Sequence, residues 1–134
     1  GLPMRVRPDG LLFAEQIGVN AIVSVKTTAE KSVLGLGYQF GRLGYSTKEA
    51  AYQSIVSQVT GIEFDTTIMI VLSTNDPFHV GVFILSDDDM RKSKIEFNES
   101  IEAAKPCIAS GIYPGWEMYA DENSLGLIDL KINS

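Results

Sequence analysis

The stretch VSVKTT, residues 23–28, sets a lysine among β-branched residues, which favour a half-buried pleated strand. Upstream, RVRPD (Arg5–Asp9) ends a second strand-like run with a proline, which cannot donate to a ladder, followed by an acid. If the two strands pair as a ribbon, Asp9 comes close to Lys26. Magnesium takes hard oxygen ligands and keeps several waters, so one or two carboxylates plus a substrate phosphate suffice to hold it. A lysine beside such a cluster can orient or deprotonate an attacking water and offset charge in the transition state. An aspartate, a second acid and a lysine on adjacent strands thus form a phosphodiester-cleaving unit. The competing reading is two ordinary strand ends. Pro-Asp pairs are common, and no acid stands two residues before Lys26, where Ser24 is found.

Outward from this pair, the chain alternates strand and helix signals. Met4 to Phe13 reads as a strand interrupted at Pro8, with a turn at Glu15 to Gly18 and a β-branched strand at Ala21 to Thr27. Four glycines in residues 29–44 leave room for a short helix with loops around it. Ser46 to Val59 is an amphipathic helix with Ala51, Ile55, Val56 and Val59 on one face, and its first residues, STKE, match a capping box. Gly61 ends it. The apolar run Ile68 to Leu72 suits a strand covered on both faces, and Phe78 to Leu85 is another strand after the turn residues NDP. SDDD (Ser86–Asp89) supplies a cap and an acidic first turn for a long helix whose inner face is Met90, Phe97, Ile101 and Ala104. Pro106 should kink or end that helix. A last strand is expected at Leu125 to Ile132. Together these elements predict an α/β fold, a mixed sheet flanked by helices.

Bulk properties narrow the functional classes. At 134 residues the chain reads as a single domain, 1–134, long enough to bury a core. No apolar run approaches the roughly 18–20 residues of a membrane span, and the N-terminus has no signal-peptide pattern. Starting at GLPMRVRPDG without methionine, it reads as a piece of something longer. A single cysteine, Cys107, excludes both an internal disulfide framework and a cysteine-based zinc site. The net charge of −6 argues against a broad electrostatic footprint for nucleic acid, although a local basic cluster with a metal ion can still neutralise phosphate.

The segments GLPMRVRPDGLL, IVSVKTTAEKS and LGYSTKEAAYQS, taken together with TTIMIVLSTNDPFHVGVFILSDDDMRKSKIEFNESI, resemble the PD-(D/E)XK nuclease superfamily. The resemblance is to its RecE-type phage and prophage recombination exonucleases, with lambda exonuclease more distant, and it covers nearly the whole chain. It implies a restriction-endonuclease-like fold. It also implies Mg2+-dependent, or Mn2+-dependent, hydrolysis of one strand of double-stranded DNA from 5′ to 3′. Further implications are a homo-oligomeric ring, a single-strand annealing protein as partner, and the cytoplasm of a bacterial host.

Carried over by position, Asp9 matches the metal-binding aspartate and Lys26 the catalytic lysine. The Val25 carbonyl falls where a backbone oxygen is donated to metal, and Tyr45 and Tyr52 match the tyrosines of the following helix. The pattern is departed from at Ser24, in place of Asp or Glu, and at Lys48, in place of Gln. The family's upstream helix has no counterpart before Gly1. The resemblance therefore leaves a second outcome open, a catalytically inactive DNA-binding or assembly module. If the acid has migrated, Glu49 is the candidate to join Asp9, Ser24 and Val25 around the metal. The competing role for Glu49 is capping its own helix.

Arg5, Arg7, Lys48, Tyr45, Tyr52 and Thr27 are candidate DNA-binding residues. Arg5 and Arg7 alternate along the strand carrying Asp9, so both side chains lie on one face, either contacting phosphate or simply solvated. The remaining motifs have plainer readings. The DLK triplet (Asp129–Lys131) suits an edge strand, His79 an ordinary strand residue, and Asp87–Asp89 a helix start rather than a metal cluster. Tyr113 and Trp116 are expected to pack beneath the tail, with stacking on bases as the alternative, and Cys107 to be a small buried residue.

Overall fold

A computed structural model describes residues 2–116, 120, 125, 127, 128 and 130. It forms two compact units, Gly1–Glu99 and Ser100–Ser134. The first contains strand β1 (Gly10–Leu12), a single helical turn α1 (Ala14–Ile17), β2 (Ala21–Thr28), α2 (Val33–Arg42), α3 (Tyr45–Thr60), β3 (Thr66–Ser73) and β4 (Val80–Ile84). Helix α4 (Asp87–Ser110) begins in this unit and ends in the second.

The sheet order is β1-β2-β3-β4. β1 and β4 run antiparallel to their neighbours, while β2 and β3 are parallel, with Ser24 opposite Met69 and Lys26 opposite Val71. A parallel pair needs a crossover, and α2 and α3 supply it. The expected mixed α/β sheet with flanking helices is the architecture observed.

Strand periodicity sorts the side chains. Ile22, Ser24 and Thr28 are buried on the face covered by the helices, and the intervening Val25 is 42 % exposed on the other. β3 follows the same rule: Thr67, Met69 and Val71 are buried, whereas Ile68 and Ile70 are only half-buried. The expectation that this apolar run is covered on both faces is therefore corrected. Its second face continues into Val80, Val82 and Ile84 of β4, all exposed. On the covered face, Ile22, Val56 and Phe64 form one core cluster and Leu36, Met69 and Val71 another. Phe13 meets Phe64 edge to face, ring centres 5.8 Å apart.

Several other expectations change. Only Gly10–Leu12 of the anticipated Met4–Phe13 strand pairs with β2, because Pro8 lacks a donor and Val6 is drawn against the Ile22 cluster. Arg5 and Arg7 are thus exposed outside any strand. Helix α3 begins at Tyr45, with Gly44 left-handed before it (φ 67°) and no side-chain cap, so STKE is not a capping box. Its buried face is Glu49, Ala50, Gln53 and Val56, and Val59 is 80 % exposed. Two polar residues can be buried there because the sheet offers each a partner.

Helix α4 does start as read, with Ser86 Oγ accepting from the Asp89 N–H at 3.2 Å. Met90 is buried and Phe97, Ile101 and Ala104 are half-buried. Pro106 does not end it. Proline removes one donor, and the helix continues to Ser110 before left-handed Gly111 closes it through an N–H bond to the Cys107 carbonyl. Cys107 is half-buried rather than buried, its Sγ donating to the Ala103 carbonyl at 3.5 Å. Tyr113 and Trp116 are 69 % and 83 % exposed, which overturns their expected packing. The anticipated Leu125–Ile132 strand falls largely outside the described residues, as do Asp129 and Lys131 of DLK. Among the described residues, no helix is long and apolar enough to cross a membrane.

Candidate active site

Asp9 stands immediately before β1, whose pairing with β2 stops at Gly10–Val23. The next β2 amide on that side belongs to Val25, and the Asp9 carboxylate takes its place in the ladder: Oδ2 accepts the Val25 N–H at 2.8 Å. N–H and C=O of one strand residue point to the same side, so the Val25 carbonyl is turned toward Asp9 as well. The Pro-Asp pair therefore ends a strand and places a carboxylate at its tip.

Ser24 and Lys26 project from the helix-covered face of β2 toward α3. Ser24 is 1 % exposed and its hydroxyl donates to Glu49 Oε1 at 2.7 Å. Glu49 is fully buried, and its second oxygen, Oε2, has no hydrogen-bond partner among the described residues. Burial pushes the Glu49 carboxyl above the ordinary glutamate value, against the opposing pull of the Ser24 hydroxyl and the Lys26 and Lys48 ammonium groups. Burial and neighbouring Lys48 hold the Lys26 amine below its usual range, while Glu49 and Asp9 act in the other direction. Lys26 Nζ lies 4.8 Å from the centre of the Tyr45 ring, and Lys48 Nζ lies 5.3 Å from that of Tyr52.

Asp9, Ser24, Val25, Lys26, Tyr45, Lys48, Glu49 and Tyr52 are thus gathered at one place. Thr27 is not among them, since alternation puts its side chain on the opposite face of β2. Among the described residues no contact draws the exposed Arg5 and Arg7 side chains to the group. The capping role weighed for Glu49 is excluded: with α3 starting at Tyr45, Glu49 lies past the first turn and faces the sheet. Gln53 was not anticipated. One turn beyond Glu49, it is 1 % exposed and donates through Nε2 to Thr67 Oγ1 at 2.8 Å, leaving Oε1 without a partner among the described residues. The available signal was the i, i+4 spacing of Glu49 and Gln53 on one helix face.

The chain's match to known sequences agrees with this arrangement. A family described as a PDDEXK-like domain of unknown function (DUF3799) matches residues 1–117. The chain belongs to that family. No curated protein matches it. In this PDDEXK-like domain the Asp9 carboxylate is held at the Val25 amide, and Glu49 brings a second carboxylate to Ser24 from α3.

The donor set suits a hard divalent cation. Two carboxylates and a backbone carbonyl are all oxygen ligands, and the partnerless Glu49 Oε2 is a buried acceptor in want of a positive charge. Among the described residues no group of three or more His, Cys, Asp or Glu side chains could hold a metal, so the ligand set is lean in protein carboxylates. Magnesium tolerates such a set because water and substrate phosphate complete it. His79 is exposed, and Asp87–Asp89 are exposed at the start of α4.

Proposed function

We propose that this domain is a metal-dependent deoxyribonuclease that hydrolyses phosphodiester bonds in duplex DNA, working as a 5′ to 3′ exonuclease of the phage and prophage recombination type. The observation that carries the reading is the buried Glu49 carboxylate, hydrogen-bonded by Ser24 and within electrostatic reach of Lys26 and Asp9. It restores the acid that Ser24 removes from the motif. Asp9, Glu49 and the Val25 carbonyl would hold Mg2+ or Mn2+. The cation, when bound, polarises a phosphoryl oxygen and acidifies a water.

The chain's own groups do the rest. Ser24 fixes the Glu49 carboxylate by occupying Oε1, which leaves Oε2 for the cation. Lys26, with its proton affinity lowered by burial, orients the attacking water and can take up its proton, while the Tyr45 ring beneath the amine restricts its position. Asp9 is held by the Val25 amide, so both carboxylates are positioned before substrate arrives. The exonuclease type, the partners (duplex DNA, further copies in a ring and a single-strand annealing protein) and the bacterial cytoplasm rest on the sequence resemblance.

The test is digestion of an end-labelled linear duplex and of a covalently closed circular duplex with Mg2+ or Mn2+. Cleavage of the linear form alone, lost in Lys26→Ala, supports the proposal. Cleavage of both forms makes the enzyme an endonuclease. Duplex binding with no cleavage in either metal overturns the enzymatic reading and leaves an inactive binding module.

A further inference from the structure

Two lysine side chains share this site where the motif needs one. Lys26 and Lys48 lie side by side, each held over its own tyrosine ring. Lys26 holds the Lys48 ammonium above its usual range while burial and Lys48 hold the Lys26 amine below its own, so the pair keeps its positive charge chiefly on Lys48. Neither lysine forms an ion pair among the described residues, where the bridges are Arg91–Asp88 and Lys105–Glu102. The nearby carboxylates are Asp9 and Glu49. When those two carboxylates neutralise one divalent cation, the positive charge of the lysine pair is left without a counter-charge. An anion beside the pair supplies that counter-charge. A second divalent cation there would be repelled by it.

Resting on the nuclease reading above, we propose that Lys48 is a phosphate-binding residue paired with Lys26, and that this pair supplies the positive charge a second metal ion would otherwise bring, so that the site works with one divalent cation. Helix α3 delivers the parts on one surface: Tyr45, Lys48, Glu49 and Tyr52 have the i, i+3, i+4, i+7 spacing of adjacent turns. The Tyr52 ring holds the Lys48 stem in place, so the ammonium is positioned before substrate binds. Lys48 itself is exposed, so changing it removes charge without disturbing the core.

The experiment uses the whole chain in three measurements. Calorimetric titration with Mn2+ alone gives the stoichiometry. Fluorescence anisotropy with a labelled 12-base-pair duplex, in Ca2+ to slow hydrolysis, gives DNA affinity over a series of salt concentrations. Thermal melting checks the fold. The wild type should take one Mn2+ per chain. Lys48→Ala should keep that stoichiometry and bind Mn2+ at least as tightly, because a repelling charge is gone. Its duplex affinity should fall about tenfold, and the slope of log affinity against log salt should become shallower by about 0.9. Lys48→Arg should stay near wild type.

The proposal is overturned if the wild type takes two Mn2+, if Lys48→Ala leaves duplex affinity and salt slope unchanged, or if Lys48→Ala weakens Mn2+ and duplex together. Failure of the underlying nuclease reading shows differently: Glu49→Gln would then still bind Mn2+ as the wild type does, whatever Lys48→Ala does to the duplex.

Discussion

If Glu49 holds a cation as proposed, replacing it with glutamine separates two demands on this residue, because a carboxylate placed for a cation is unfavourable without one. Glu49 is fully buried, with one carboxylate oxygen unpartnered among the described residues. A buried polar atom without a hydrogen bond costs about 1–3 kcal/mol, and ionisation adds to that cost. Glutamine keeps an oxygen to accept from the Ser24 hydroxyl and removes the charge. Metal-free Glu49→Gln should therefore be as stable as the wild type at pH 8, or more stable by about 1 kcal/mol.

Saturation reverses the order. A cation at 100 times its dissociation constant stabilises the folded wild type by about 2.7 kcal/mol. At roughly 3–5 °C per kcal/mol for a chain of this size, that is an increase in melting temperature of about 8–13 °C. The variant should show almost none. The sign of the pH dependence follows from the raised Glu49 pKa. The folded state holds its proton more tightly than the unfolded state does, so metal-free stability is greatest below the ordinary glutamate value and falls as pH rises through the folded pKa. Cation and proton compete for the same oxygen, so the metal-induced increase should be larger at pH 8 than at pH 5.5. Scanning calorimetry of both proteins, with and without Mn2+, at the two pH values tests all three statements. The reasoning fails if Glu49→Gln melts well below the wild type without metal, or if both proteins gain equally from Mn2+.

Two further outcomes concern the scaffold. Thr67→Val removes the only hydrogen-bond partner shown for buried Gln53 and should cost about 1–3 kcal/mol in urea unfolding, with much of it recovered in Gln53→Leu/Thr67→Val; strict additivity of the two single changes would refute the coupling. Gly44→Ala meets no nearby atom yet forces alanine to φ 67°, so it should cost about 1–2 kcal/mol, whereas Gly37→Ala within α2, equally uncrowded and without a positive φ, should stabilise by about 0.5–1 kcal/mol; melting temperatures moving in the same direction for both would contradict this.

The elements of this fold were legible where a local signal is strong. The alternation of Ile22 to Thr28 is short-period patterning that a single strand imposes on itself, and left-handed Gly61 ends α3 as its position suggested. Legibility failed where two local rules gave competing answers. STKE satisfies a capping pattern, but the left-handed Gly44 starts the helix one residue sooner and carries Glu49 past the first turn. Likewise, a hydrophobic count placed Val59 inside and left Gln53 unassigned, since counting apolar residues cannot register that Thr67 waits across the interface.

By itself, the amino-acid order determined which chemistry is available: an aspartate after a proline, a lysine on a β-branched strand, and the superfamily pattern joining them. It could not decide whether the missing acid is truly missing. That depended on Ser24 and Glu49, 25 positions apart, meeting at 2.7 Å. Only the crossover from β2 through α2 and α3 to β3 makes that meeting, because a side chain's protonation and direction are set by what packs against it, and sequence neighbours carry no record of that environment.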